Sequence, residues 1–248
     1  MDSAASAATA EPSNRAYYDD FSTGYERERS HGYHALLDEL ESSVVAPLCP
    51  GRSVLEVGCG TGLILSRLAP AAGQAMGVDL SGGMVRKARA RGLDVVQGSV
   101  LALPFENDSF DVVYCFKVLA HIAEIERAMA ELWRVTRPGG TLVVEFYNAW
   151  SLRYLVKRLA GPQPISDGRT EADIYTRWDT PLSIQRYFPR DAEVVGQHGV
   201  RVVTPVAAVH RLPVLKRWVP VAERLASRSP ARYAGGFLIT QLLKRRRR

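Results

Sequence analysis

The sequence predicts an α/β protein, a mostly parallel β-sheet with helices on both faces. Three observations predict it. Short apolar runs alternate with stretches of helical periodicity, the rhythm of β-α-β units. One run, Asp111–Cys115, is apolar after its first residue, as a strand buried on both faces should be. A chain of 248 residues, 46% of them hydrophobic, is ample for one packed core.

The elements follow in order. The Ala/Ser-rich residues 1–14 lack a basic and an apolar region and read as a disordered tail, not a secretory leader. Residues 15–50 read as an N-terminal helical cap, because Leu36, Leu37, Leu40, Val44 and Val45 mark one apolar stripe that Pro47 ends. Ser53–Val57 reads as a strand and Thr61–Leu68 as a helix. Ala75–Val78 is a strand, and Gly82–Ala90 a helix with Ser81 as its N-cap. Asp94–Gln97 and Asp111–Cys115 are strands. Ile122–Val135 is a helix stopped by Arg-Pro-Gly-Gly, and Leu142–Tyr147 the next strand. Residues from about 160 to 181, rich in Pro, Gly and scattered aromatics, read as an inserted lid. A helix near Leu182–Tyr187 and a strand around Val200–Val203 follow. Residues 205–226 read as helical pieces broken by Pro213 and Pro220, and Gly235–Leu243 as a last strand, before a basic tail at 244–248.

Bulk composition removes several function classes. No apolar run approaches the ~20 residues of a membrane span. Cys49, Cys59 and Cys115 are widely spaced, which argues against a disulfide framework or zinc site and for a reducing, cytoplasmic setting. No cluster has metal-ligand spacing. The net charge of +6 is divided unevenly: residues 1–150 carry 13 Lys/Arg against 19 Asp/Glu, and residues 151–248 carry 19 against 7. A solvated surface explains this. So does a C-terminal part that faces something anionic, an acidic substrate or a peripheral membrane surface. Nucleic acid is not expected, since no binding module is present.

The stretch Val54–Gly62, "VLEVGCGTG", closes the first strand with Gly58, Gly60 and Gly62. In open parallel sheets ligands bind beyond the carboxyl ends of the strands, and glycines there allow close approach. The spacing is GxGxG, where dinucleotide sites carry GxGxxG. Glu56 precedes the turn, and a carboxylate there suits a cationic ligand better than a pyrophosphate. Asp79 ends the second strand, where an acid can accept from ribose hydroxyls.

With "VLEVGCGTG", "GVDLSGGMVRKA", "LPFENDSFDVVYCFKVLAHI" and "ELWRVTRPGGTLVVEF", residues 17–147 resemble the class I S-adenosylmethionine-dependent methyltransferases that act on small molecules. The resemblance implies a Rossmann-like seven-stranded sheet with one antiparallel strand near its end, and S-adenosyl-L-methionine as cofactor. It also implies the roles of individual residues. Glu56 and the Gly58–Cys59–Gly60 backbone, with Gly62, would hold the methionine end, and Asp79 the ribose. Leu80 and Met84 would pack on the adenine, which Ser99 and Val100 would border. Phe116 and Lys117 would lie near the amino acid and the methyl, and Tyr25 would belong to a cap. Relatives often carry Gly-Asp where this chain has Gly98–Ser99. The serine brings no charge, a difference on the order of 1 kcal/mol.

The reaction itself needs an aligned nucleophile and, for an un-ionised hydroxyl, a base. His121 is the candidate base, with a hydrogen-bonded structural histidine as the plainer alternative. Tyr147, Asn148 and Trp150 follow the fifth strand, where acceptors often lie. Tyr175, Arg177 and Trp178 either contact an acceptor or pin the lid to the body. The small-molecule acceptor is not specified. A non-catalytic S-adenosylmethionine-binding protein and, less favoured by Glu56, a nicotinamide-dependent oxidoreductase remain as alternatives.

Overall fold

A computed structural model of the chain describes residue 19 and residues 33–161, 164–166, 169–170, 175–204 and 213–246. Seven strands form one sheet in the order β3-β2-β1-β4-β5-β9-β8. They are β1 (Ser53–Val57), β2 (Gln74–Asp79), β3 (Asp94–Gln97), β4 (Phe110–Cys115), β5 (Thr136–Tyr147), β8 (Ala192–Val200) and β9 (Phe237–Lys244). The pairs from β3 through β5 are parallel, and β9 runs antiparallel to both its neighbours. A separate hairpin, β6 (Pro164–Ser166) and β7 (Arg169–Thr170), lies in the expected lid.

The alternation of side chains along β1 builds two core layers. Val54 points to the same side as Val112, Tyr114, Val143 and Ile239, and packs against the apolar stripe of α1 (Tyr33–Val45). Leu55 and Val57 point to the other side with Val113, Leu142 and Leu238. There they meet Ile125, Met129 and Leu132 of α4 (Ile125–Val135). Helices therefore cover both faces. Burying one Leu of this kind contributes about 1.5–3 kcal/mol. A third cluster joins Leu65 of α2 (Leu65–Leu68) to Val85 and Ala88 of α3 (Gly82–Ala90), where Ser81 Oγ accepts from Met84 N, 3.1 Å away, as the expected N-cap.

Several expected elements differ. The helix after β1 starts at Leu65, not Thr61, because Gly60 and Gly62 hold φ of +53° and +79° and keep the turn out of the helical region. The helix that was to begin at Ile122 starts at Ile125. Arg137–Gly140 stops that helix but is not a loop: it lies inside β5, where a register shift against Phe110–Val112 accommodates Pro138. The strand expected around Val200–Val203 ends at Val200. Arg201 turns the chain at φ +61°, and the amides of Val202 and Val203 donate to Glu223. Finally, α6 (Pro213–Arg228) runs straight through Pro220, and buried Val219, Glu223 and Ser227, four residues apart, hold it against the body. The helix α5 (Leu152–Ala160), capped by Ser151, was not anticipated, and Leu182–Tyr187 forms a 3₁₀ turn at Ser183–Tyr187. Lys244, assigned to the basic tail, ends β9 and donates to Asp108 and to the carbonyls of Trp133 and Thr136. Residues 1–14, Tyr25 and His31 lie outside the described residues. No described helix is long and apolar enough to cross a membrane.

Candidate active site

The carboxyl ends of β1, β2 and β4 open into one cavity of about 1050 Å³, counting its mouth. Glu56, Gly58, Cys59, Gly60, Asp79, Leu80, Met84, Ser99, Val100, Phe116, Lys117 and His121 all line it. Gly62 does not. A side chain there would strike Leu93 and Ala88, so this glycine serves the packing of the turn on α3. Gly58 is fixed by its φ of +77° and by Val118, which occupies the space a Cβ would need.

The turn presents its polar groups in order. The carboxylate of Asp79 accepts from the amides of Gly60 (2.7 Å) and Ser81 (2.9 Å), which fixes it at the tip of β2. Burial raises its proton affinity, and the two amides oppose that shift. Glu56, 4% exposed, accepts from Tyr114 Oη at 3.0 Å. Burial pushes its carboxyl from the usual 4.5 to about 8. A cationic ligand beside it reverses that cost, since an opposite charge within a few ångströms favours the ionised form. Asp38 of α1 also lines the cavity, so three carboxylates face a space whose lysine is already engaged. Lys117 Nζ meets Glu41 at 2.6 Å and Asp38 at 3.4 Å, while its backbone amide, at φ +59°, donates to Glu145. Lys117 thus straps α1 to the end of β4.

Ser99 Oγ accepts from Leu101 N at 3.0 Å and shapes the turn that borders the cavity. Asp19 was not singled out from the sequence. Its Oδ1 accepts from Ser81 Oγ (2.5 Å) and Gly83 N (2.9 Å), which places Asp19 at the start of α3 near Asp79. Asp38, Glu41, Glu145 and Arg153 were also missed. Asp38 and Glu41 have a readable signal, since acids within an apolar helical stripe must find a buried partner.

His121 follows β4 in a 3₁₀ turn. Its Nδ1 lies 3.0 Å from the Tyr175 carbonyl, which can only accept, so Nδ1 carries the proton and Nε2 the lone pair. Nε2 faces the hydroxyl of Tyr147 at 3.5 Å, and the two rings meet edge-on. Burial lowers the proton affinity of the imidazole and keeps it neutral near pH 7. Arg177 pins the lid: its backbone amide donates to Ala120, and its guanidinium to Leu119 O and Asp179. Trp178 packs at a tilt against the rings of Tyr147 and Tyr154. The Tyr175 side chain is 45% exposed. Asn148 spends its amide on Tyr233 and Gly235 carbonyls, and Trp150 points outward. His34 packs on Tyr33, His198 lies in β8 and His210 falls outside the described residues.

Residues 55–144 match the model of a methyltransferase domain family. Those residues form a methyltransferase domain of the class I S-adenosylmethionine-dependent kind. Its cofactor is S-adenosylmethionine, and the residues present fit that group. The carboxylates of Glu56 and Asp38 suit its ammonium and sulfonium, Asp79 its ribose, and apolar Leu80, Met84 and Val100 its adenine. Among curated relatives, a malonyl-[acyl-carrier protein] O-methyltransferase of Erwinia billingiae is 32% identical over 68% of this chain and 64% of its own length. A demethylmenaquinone methyltransferase of Renibacterium salmoninarum is 41% identical over 40% of this chain. The matched stretch spans 43% of that relative, and about two fifths of other curated relatives. Among solved structures, an S-adenosylmethionine-dependent methyltransferase from Thermotoga maritima superposes with a TM-score of 0.67, 20% identity, and 93% and 99% of the two chains covered. Magnesium protoporphyrin IX methyltransferase from Synechocystis, solved with bound S-adenosylhomocysteine, gives 0.62 at 19% identity over 93% and 97%. These two likenesses show the fold.

Proposed function

We propose that the whole chain transfers the methyl of S-adenosylmethionine to a hydroxyl of a small organic acceptor, with His121 as the base. The observation that carries this reading is the position of His121. It lines the same cavity as Glu56 and Asp79, with its protonated nitrogen tied to Tyr175 and its basic nitrogen turned to Tyr147. The cofactor supplies the methyl on a positively charged sulfur. The chain holds that cation with carboxylates, keeps water out with Val118, Phe116 and Ile122, and takes the acceptor's proton at His121 Nε2. The balance closes with the methyl–sulfur bond broken and the methyl–oxygen bond formed, S-adenosylhomocysteine leaving uncharged at sulfur, and the acceptor's proton passed from His121 to solvent. Incubation with methyl-labelled cofactor and a cell extract should yield a labelled small molecule whose methyl is ether-linked and stable to alkali. Label appearing only on carbon or nitrogen, or only as an alkali-labile methyl ester, or none at all, would contradict the reading.

The peripheral membrane contact expected for the basic C-terminal part is also a proposal. Trp218, Val221 and Leu225 of α6 are exposed beside exposed Arg224 and Arg228, the apolar–basic mixture that an anionic bilayer attracts. Co-sedimentation with phosphatidylserine vesicles and not with phosphatidylcholine vesicles is the expected result. Equal sedimentation with both, or none, would contradict the proposal.

A further inference from the structure

Arg153 stands out because nothing in the cofactor chemistry uses it. It is the second residue of α5 and 8% exposed. Its guanidinium carbon lies 5.0 Å from the ring centre of Tyr147, 4.8 Å from Trp178 and 5.0 Å from Phe237. Ring faces attract the charge. They do not give the N–H groups an oxygen to donate to, and among the described residues nothing accepts from its Nε or Nη1. A buried cation at the amino end of a helix also opposes the helix dipole.

The surroundings add positive charge, and among the described residues no carboxylate forms an ion pair with Arg153. Arg201 presses on the same Phe237 ring, 5.7 Å from its centre, and on Tyr33 at 5.0 Å. Glu223, the acid beside Arg201, spends its two oxygens on the amides of Val202 and Val203. Asp179 is engaged by Arg177, Ser183 and Tyr187. Glu145 accepts from Lys117 N, and burial raises its proton affinity, which weakens it as a partner for a cation. A desolvated guanidinium without a carboxylate partner is costly to keep, and a carboxylate or phosphate is the group whose geometry matches its N–H fork.

The position ties this cation to the reaction. The rings of His121 and Tyr147 are 5.5 Å apart between centres, and Arg153 lies on the same Tyr147 ring. One tyrosine therefore separates the base from the guanidinium.

We propose that Arg153 binds an anionic group, carboxylate or phosphate, on the acceptor, so that the substrates are small organic acids whose reactive hydroxyl lies about one aromatic ring from the acid. This deepens the methyl-transfer reading and rests on it for the identity of the ligand as acceptor.

The test is direct binding, which does not require turnover. The full chain, saturated with S-adenosylhomocysteine, is titrated by calorimetry with benzoate, phenyl phosphate and, as neutral control, benzyl alcohol. At least one anion should bind wild type about tenfold or more tightly than the alcohol, and which one does separates carboxylate from phosphate. Arg153→Gln should lose that preference and Arg153→Lys keep part of it, with S-adenosylhomocysteine affinity unchanged in both. Equal binding of anion and alcohol, no anion binding by wild type, or an intact preference in Arg153→Gln would overturn the proposal. If Arg153→Gln does not fold, the wild-type difference and its reduction in Arg153→Lys decide. Failure of wild type to bind S-adenosylhomocysteine would sink the methyl-transfer reading instead, and the anion titration on the free chain would still report on Arg153.

Discussion

The half of the sheet from β3 to β4 and the half from β5 to β8 build their shares of the site by different means. The first uses backbone. A tight turn, two strand tips and a helix start place Glu56, Gly58 and Asp79 within one short span, and Asp79 is held by two main-chain amides. The second uses side chains from remote segments. His121, Tyr147, Arg153, Trp178 and Phe237 come from five elements and meet only through tertiary packing. The contrast teaches that the cofactor half is specified locally and the acceptor half globally, so substitutions in the two halves should separate cleanly in their effects.

The largest expected effect breaks the acceptor half alone. His121→Ala should lower kcat by about 100- to 10,000-fold while leaving cofactor affinity within about twofold. The pH profile sharpens this. Because burial depresses the proton affinity of His121, its neutral, basic form persists below pH 6.5, and the acid limb of kcat should lie below that value and vanish in the variant. Turnover kinetics across pH, with calorimetry for the cofactor, check both.

Next comes the cofactor half. Asp79→Ala removes the acceptor of the Gly60 and Ser81 amides and, with it, the proposed ribose contact. Cofactor affinity should fall by about 100-fold or more, with thermal stability lowered by a few degrees. If His121→Ala and Asp79→Ala both weakened cofactor and turnover alike, the two halves would not be separable.

Glu56 gives a smaller, signed effect. Its carboxyl titrates at about 8 in the folded chain against an ordinary 4.5. A raised carboxyl favours the fold below the lower value, and that contribution is lost as pH rises through the higher one. Cofactor binding runs the other way, because the cation needs the ionised form. Affinity should increase between pH 6 and 8, by at most about tenfold per pH unit, and the slope should disappear in Glu56→Gln. Calorimetry in buffers of different ionisation enthalpy would also count the proton released.

The smallest effect is predicted for Tyr175→Ala. Only the backbone carbonyl of Tyr175 serves His121, and its ring is exposed, so turnover and stability should each change by less than about 0.5 kcal/mol. A large loss would restore the tyrosine as an acceptor contact.

The same contrast explains what could be read in the sequence. The strands β1 and β3 and the helix α3 agree with their expected bounds, because apolar runs, Ser81 and the glycine spacing are local signals. The start of α2 was misplaced because the positive φ of Gly62 cannot be told from an ordinary helical glycine by composition. The end of β8 was misplaced because Glu223, 21 residues away in α6, claims the amides of Val202 and Val203. Arg153 carried no signal, since Leu152–Ala160 is a short amphipathic helix and nothing in its neighbourhood in sequence shows that three aromatic rings converge on it. Lys117 did carry one, but its engagement by Asp38 and Glu41 depends on a contact across more than 70 residues.

The most direct measurement is an isothermal titration of S-adenosylmethionine into the purified chain and into the Glu56→Gln, Asp79→Asn double variant. The structure predicts saturable binding to one site per chain in wild type and no measurable heat in the double variant. Equal binding by both, or no binding by wild type, would contradict the assignment of the cavity beyond β1 and β2 as the cofactor site.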